Sequence, residues 1–179
     1  MLDNNFEDGI KKIKFLISDV DGVLTDGKIL ISSNGIESKT FCVEDGTGVA
    51  IAKCAGLDIA FISGRFSKST EIRANELRIK HCIQGHLDKK NKFYELIDKL
   101  KIKPHQVAYI GDGLVDIPVL KIVGLPISVP NGHKDVQKYS LYVTKKNGGD
   151  GVLQEVVELI LKVQGSYVKT IQTMSKKVF

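Results

Sequence analysis

A chain of 179 residues suits one compact domain and leaves little room for a second. Hydrophobic residues at 42% and charged residues at 26% match a globular protein in water, and no apolar run approaches the ~18 residues of a membrane span. Of the net charge of +5, four units come from Lys162, Lys169, Lys176 and Lys177, with no acid after Glu158; residues 1–161 stand near +1, lack a basic face and carry no aromatic-rich strand, so neither nucleic acid nor a membrane is an expected partner.

The start, Met1 to Gly9, holds Asp3, Glu7 and Asp8 and no apolar stretch of the secretory kind, so a cytoplasmic location is expected. Residues 1–12 read as an N-terminal extension, 13–164 as a single domain and 165–179 as a basic C-terminal tail, too weakly amphipathic to order by itself. Short β-branched runs at Lys14–Ser18, Leu57–Ile62, Val107–Ile110 and Leu125–Val129 predict buried strands. Between and after them, the apolar spacing of Phe93, Leu96, Ile97 and Leu100, and of Leu153, Val156, Val157 and Ile160, predicts helices. This alternation is that of a doubly wound, Rossmann-like α/β fold: a mostly parallel sheet with helices on both faces, whose ligands bind at the carboxyl ends of the strands. One departure is Lys28–Cys42, where Asn34-Gly35 reads as the turn of a β-hairpin directly after the first strand's loop. Ile29, Leu30 and Ile31 are apolar on both faces, so this flap is expected to pack against a neighbouring subunit. Cys42, Cys54 and Cys82 share no metal or redox spacing and are expected as reduced thiols. The scattered histidines are assigned to no metal.

The residues that follow the strands carry the chemistry. Asp19-Val20-Asp21-Gly22 places two carboxylates two apart before a glycine that permits a tight turn. A carboxylate attacks phosphorus when a divalent cation offsets its repulsion from the phosphate, and magnesium prefers such oxygen ligands. Asp19 fits the nucleophile and Asp21 the acid and base that serves the leaving oxygen and then the water. Alone, the fragment is equally an ordinary polar turn. After the second strand, Ser63-Gly64-Arg65 offers a hydroxyl and backbone amides for phosphoryl oxygens. Lys89, near a helix start, can neutralise phosphate charge, although a single lysine is usually a solvated one. Gly111-Asp112-Gly113-Leu114-Val115-Asp116 puts two further acids at one crevice if a helix begins there, with Asp112 a metal ligand. It is their order, each just after a strand, that distinguishes these signals from ordinary turns.

With these motifs the chain resembles the haloacid dehalogenase superfamily of phosphatases over roughly residues 13–164. The resemblance implies Asp19 as covalent nucleophile, Asp21 as acid/base, Ser63 and Lys89 on the phosphate, and Mg2+ held by Asp19, the backbone carbonyl of Asp21 and Asp112, with Asp116 in support. The space between motifs admits no cap domain. The run Asp19 to Gly27, then Val43-Glu44-Asp45-Gly46-Thr47-Gly48, Ile62 to Arg65 and Gly148-Gly149, resembles the capless 3-deoxy-D-manno-octulosonate 8-phosphate phosphatases. This implies a homotetramer whose flap reaches a neighbour's site, release of the free sugar acid used for lipopolysaccharide, and substrate contacts from Gly64, Arg65 and Lys68. The chain departs from that family at Gly113, commonly aspartate, and at Gln154, commonly arginine. Two alternatives keep the fold: a phosphatase for nine-carbon keto-deoxy sugar acids, and a non-catalytic regulatory domain. A receiver-type signalling domain uses similar groups, but its acceptor aspartate follows a middle strand, whereas Asp19 follows the first.

Overall fold

The computed structural model describes residues 4–178; Met1 to Asp3 of the extension and Phe179 of the tail lie outside them. In chain order the elements are α1 (Asn4–Lys11), β1 (Phe15–Ser18), β2 (Leu30–Ile31), β3 (Glu37–Ser38), α2 (Val43–Ala55), β4 (Asp58–Ile62), α3 (Lys68–Glu76), β5 (His81–Ile83), α4 (Lys89–Leu100), β6 (Val107–Ile110), α5 (Ile117–Leu120), β7 (Leu125–Ser128), α6 (Lys134–Gln137), β8 (Tyr142–Val143), α7 (Val152–Val163) and α8 (Tyr167–Val178).

Strands β5-β4-β1-β6-β7-β8 form one sheet in that order, and every pairing in it is parallel. The chain winds outward from β1 in both directions, which is the doubly wound order, and the reversal point lies between β1 and β6. Period-2 alternation divides the strand residues between two cores. Leu16, Ile59, Phe61, Ala108 and Ile110 pack toward α2 and α7. Phe15, Ile17, Ala60, Ile62, Val107 and Tyr109 pack toward α4. The four expected strands lie at the expected places within one residue; β5 and β8, three and two residues long, were too short to give a periodic signal.

Three expectations are corrected. The hairpin pairs only at Leu30↔Ser38 and Ile31↔Glu37, not over the whole of 28–42. Its turn is longer than the two residues Asn34-Gly35, because Ser32 and Ile36 are joined by a backbone hydrogen bond of 3.0 Å and Gly35 alone takes the left-handed conformation. The tail is not loose: Tyr167, Ile171 and Met174 form a helical stripe against the core beside α2, and Thr170 is buried. The extension likewise belongs to the body, since Ile10 is fully buried and the Gln164 side chain donates to the carbonyls of Ile10 and Ile13 at the end of α7. The three cysteines are free and half-buried, and burial pushes the Cys82 thiol up to about 11, which keeps it unreactive. Among the described residues, no helix is long and apolar enough to cross a membrane.

Candidate active site

The loops after β1, β4, β5 and β6 meet at the carboxyl edge of the sheet, around an open cavity of about 590 Å³. Asp19, Asp21, Ser63, Gly64, Arg65, Lys89, Asp112 and Gly113 line it, with Ile29 of the flap and Leu87 opposite. Most of the residues singled out in the sequence therefore face one space.

Its floor is an ion cluster. Lys89, the first residue of α4, is 1% exposed and carries its Nζ 2.6 Å from Asp19 Oδ2 and 2.8 Å from Asp116 Oδ1. Burial pulls its pKa down, but Asp19 and Asp116 together outweigh burial and hold the ammonium charged, with its pKa above the ordinary value. Asp116 is saturated: Oδ1 also accepts from the Tyr109 hydroxyl at 2.6 Å, and Oδ2 accepts from the backbone of Asp112 and Gly113. It orients the lysine and the loop. Asp19 Oδ1 accepts from the Val20 amide at 2.6 Å. Burial, Asp116 and Asp112 push the Asp19 carboxyl well up, and Lys89 offsets only part of this. Burial and Asp116 raise Asp112 to about 6.

Those shifts test whether the residues suit a cation. One oxygen from each of Asp19, Asp112 and Asp116 lies within 4.8 Å of the others, and one lysine leaves the cluster short of positive charge. A hard, oxygen-preferring divalent ion would relieve that deficit, and Asp112, with no lysine of its own, is the acid placed to meet it. The set fits magnesium. The glycines of the motifs serve the same closeness. Gly22 adopts φ +90°, and a Cβ there would lie 2.1 Å from Asp112 Oδ2; a Cβ on Gly148 would lie 1.8 Å from the Gly22 carbonyl oxygen. A side chain at Gly22 would displace Asp112 from the first acidic loop, and one at Gly148 would force its own loop away from Gly22 and Thr25.

Ser63 is buried; its hydroxyl donates to the Arg65 carbonyl at 2.9 Å and accepts from the Arg65 amide at 3.2 Å, a compact turn at the end of β4. Arg65 turns its guanidinium to Glu37 of the flap, with Nη2 at 2.5 Å and Nε at 3.1 Å from Oε2. Lys68 does not join the site: it stands exposed on the first turn of α3, pairs with Glu71 at 2.9 Å and does not line the cavity, because position N1 of that helix faces solvent.

Sequence reasoning missed Lys39. One residue beyond β3, its side chain is wholly buried, and Nζ sits 2.5 Å from Asp21 Oδ1, 3.4 Å from Thr70 Oγ1 and 3.7 Å from Glu37 Oε1. The period-2 spacing of Glu37 and Lys39, which puts both on one face of the flap, was the available signal.

Comparison with known proteins points to one family. Residues 60–156 match a family model described as haloacid dehalogenase-like hydrolase. A 3-deoxy-D-manno-octulosonate 8-phosphate phosphatase of Yersinia pestis is 45% identical over 152 residues, covering 85% of this chain and 81% of the relative. The crystal structure of such a phosphatase from Moraxella catarrhalis, in complex with magnesium ion, phosphate ion and a KDO molecule, superposes with a TM-score of 0.92 at 43% identity over 96% of this chain and 98% of that one. The cobalt-bound enzyme of Haemophilus influenzae gives a TM-score of 0.86 at 33% identity, covering 92% and 99%.

Proposed function

The chain belongs to the haloacid dehalogenase-like hydrolases and, among them, to the 3-deoxy-D-manno-octulosonate 8-phosphate phosphatases; from that membership we infer that it hydrolyses this phosphorylated sugar acid to the free acid and phosphate in a magnesium-dependent reaction. The observation that carries this reading is the convergence of Asp19, Lys89, Asp112 and Asp116 with Asp21 and Ser63 around one cavity.

In this reading Asp19 is the nucleophile. Its carboxylate, aimed by Lys89 and by the Val20 amide, forms a bond to phosphorus as the bond from phosphorus to the sugar oxygen breaks. Asp21 gives its proton to the departing oxygen. In the second half Asp21 takes a proton from water, the water oxygen bonds to phosphorus, and the aspartyl phosphate opens to return Asp19 and phosphate. Lys89, the Ser63 hydroxyl and the amides around Gly64 hold the phosphoryl oxygens through both steps. Asp19, Asp112 and the backbone carbonyl of Asp21 would hold magnesium, with Asp116 supporting through Lys89 and the loop amides; the ion, when bound, offsets the repulsion between carboxylate and phosphate. Arg65, on the cavity wall, is placed for the substrate's carboxylate.

The flap supports a homo-oligomeric enzyme, with a tetramer the family's arrangement. Leu30, Ile31 and Ile36 are 70%, 59% and 61% exposed on a hairpin with no core of its own, and a second copy of the chain would cover them and close the cavity to water. A cytoplasmic location accords with this chemistry.

The test is phosphate release from 3-deoxy-D-manno-octulosonate 8-phosphate, with and without magnesium, beside a nine-carbon analogue and neutral sugar phosphates. Selective, magnesium-dependent release that Asp19→Asn reduces at least ~10³-fold is expected. Well-folded wild type that releases phosphate from none of them would overturn the assignment.

A further inference from the structure

Arg65 is the half-exposed cation of the cavity wall, and a long side chain so placed ordinarily moves among many rotamers. Here one edge of it is held. Nε and Nη2 both donate to a single oxygen of Glu37, Oε2, at 3.1 and 2.5 Å. Nη1 has no partner among the described residues, so the fork of Nη1 and Nη2 is left for a ligand.

Glu37 is a firm anchor for the held edge. It stands in β3 opposite Ile31 of β2, its backbone carbonyl accepts from the Ser69 hydroxyl at 3.2 Å, and its side chain is only 18% exposed. The hydrogen bonds from Arg65 keep its carboxyl below the ordinary carboxylate range, so the pair is charged. Glu37 itself does not line the cavity. It touches a ligand only through Arg65.

Two effects oppose each other when a second carboxylate comes to Arg65. The charge of Glu37 repels it, but Lys39, 3.7 Å from the other oxygen of Glu37, offsets that repulsion. Order acts the other way: a guanidinium already confined to one plane loses less rotamer freedom on binding, and its fork matches a carboxylate only when the two lie in one plane. With the repulsion offset, order prevails. Resting on the reading of a sugar acid phosphate as substrate, with its phosphate on C8 and its carboxylate on C1, we propose that Glu37 is a positioning residue for specificity. It holds the Arg65 guanidinium in the plane that receives the substrate's carboxylate, and so strengthens the preference for an acid sugar ester over a neutral one. Because Glu37 belongs to the flap and Arg65 to the body, that recognition requires the flap to be down.

The readout is the ratio of kcat/KM for 3-deoxy-D-manno-octulosonate 8-phosphate to that for mannose 6-phosphate, which cancels any change a substitution makes to phosphoryl transfer itself. Glu37→Ala is expected to lower the ratio about threefold to tenfold, through KM for the sugar acid, as befits the ordering of one long side chain. In an Arg65→Gln background, where no guanidinium is left to hold, the same change is expected to leave the ratio where Arg65→Gln put it. An unchanged ratio in Glu37→Ala overturns the proposal, and so does an equal loss in both backgrounds, the mark of a flap displaced as a whole. Thermal midpoints identify a variant that does not fold. Glu37→Asp, which keeps the charge beside Lys39 but is one methylene short of Arg65, then decides: the same loss supports the proposal and an unchanged ratio overturns it. Wild type inactive on every ester overturns the proposed function, whereas wild type and variants that favour the sugar acid equally overturn the positioning role alone.

Discussion

The floor of the active site and the flap above it are both held by charged pairs, yet they use charge differently. On the floor, Lys89, Asp19 and Asp116 are nearly inaccessible to solvent, and Asp116 has no free oxygen left. Ions so placed have no alternative partners in water, so their geometry is set once, by folding. On the flap, Arg65 is half-exposed, Glu37 keeps an unpartnered oxygen, and the strands between pair at only two positions. Partners there can be exchanged at small cost. A rigid floor suits a nucleophile that must meet phosphorus at one distance and angle, and an adjustable flap suits recognition of the rest of the substrate.

The largest expected break of this contrast is Lys89→Met. It leaves two buried carboxylates facing each other without their cation, which should cost about 3–5 kcal/mol of stability as well as turnover. Urea unfolding of wild type and variant measures the first, and a loss below about 1 kcal/mol would show the floor to be less tightly coupled than its distances imply.

Asp45 sharpens the comparison from the other side, as a buried carboxyl on which Arg73 and Lys146 offset only part of the effect of burial. Its Oδ1 accepts from the Leu153 amide at the start of α7, Oδ2 has no hydrogen-bond partner, and burial raises its pKa to about 6. A carboxyl whose folded value lies above its unfolded value favours the fold while protonated, so its contribution declines as pH rises from about 4 to about 6 and stays lost above. Asp45→Asn should remove that decline and gain as much as about 3 kcal/mol at pH 7.5 relative to pH 4. Unfolding free energies at the two pH values report it; equal pH dependence in wild type and variant would contradict the assignment.

The smallest effect on the single chain is expected at the flap tip. Leu30→Asp changes an exposed residue and should alter unfolding free energy by less than about 0.5 kcal/mol. If a second copy covers this face, the same change shifts the sedimenting mass toward the monomer and lowers turnover. An unchanged mass would place the subunit interface elsewhere.

The two regions also differ in how far they were legible before folding. The floor was readable because each of its groups stands directly after a β-branched strand, and a parallel sheet brings every such position to one edge. Lys89 gained meaning only from that placement. Lys68 stays outside the cavity because a helix start close to Arg65 in sequence directs its side chain to solvent. Glu37 and Lys39 were passed over because alternating polar residues in a short hairpin ordinarily face water, and the tail because its apolar positions, Tyr167, Ile171 and Met174, form a stripe only against the surface beside α2.

Local rules thus determined the strands, their order of chemistry and the acids that flank them: hydrophobic runs report burial, and tight-turn glycines report close approach. The tertiary structure alone decided which charges meet. That Asp116 is spent on Lys89, that Arg65 faces Glu37 and that Lys39 reaches Asp21 across 18 positions of sequence follow from elements packed side by side, since a charge's partner is set by distance in space and by the water excluded between them.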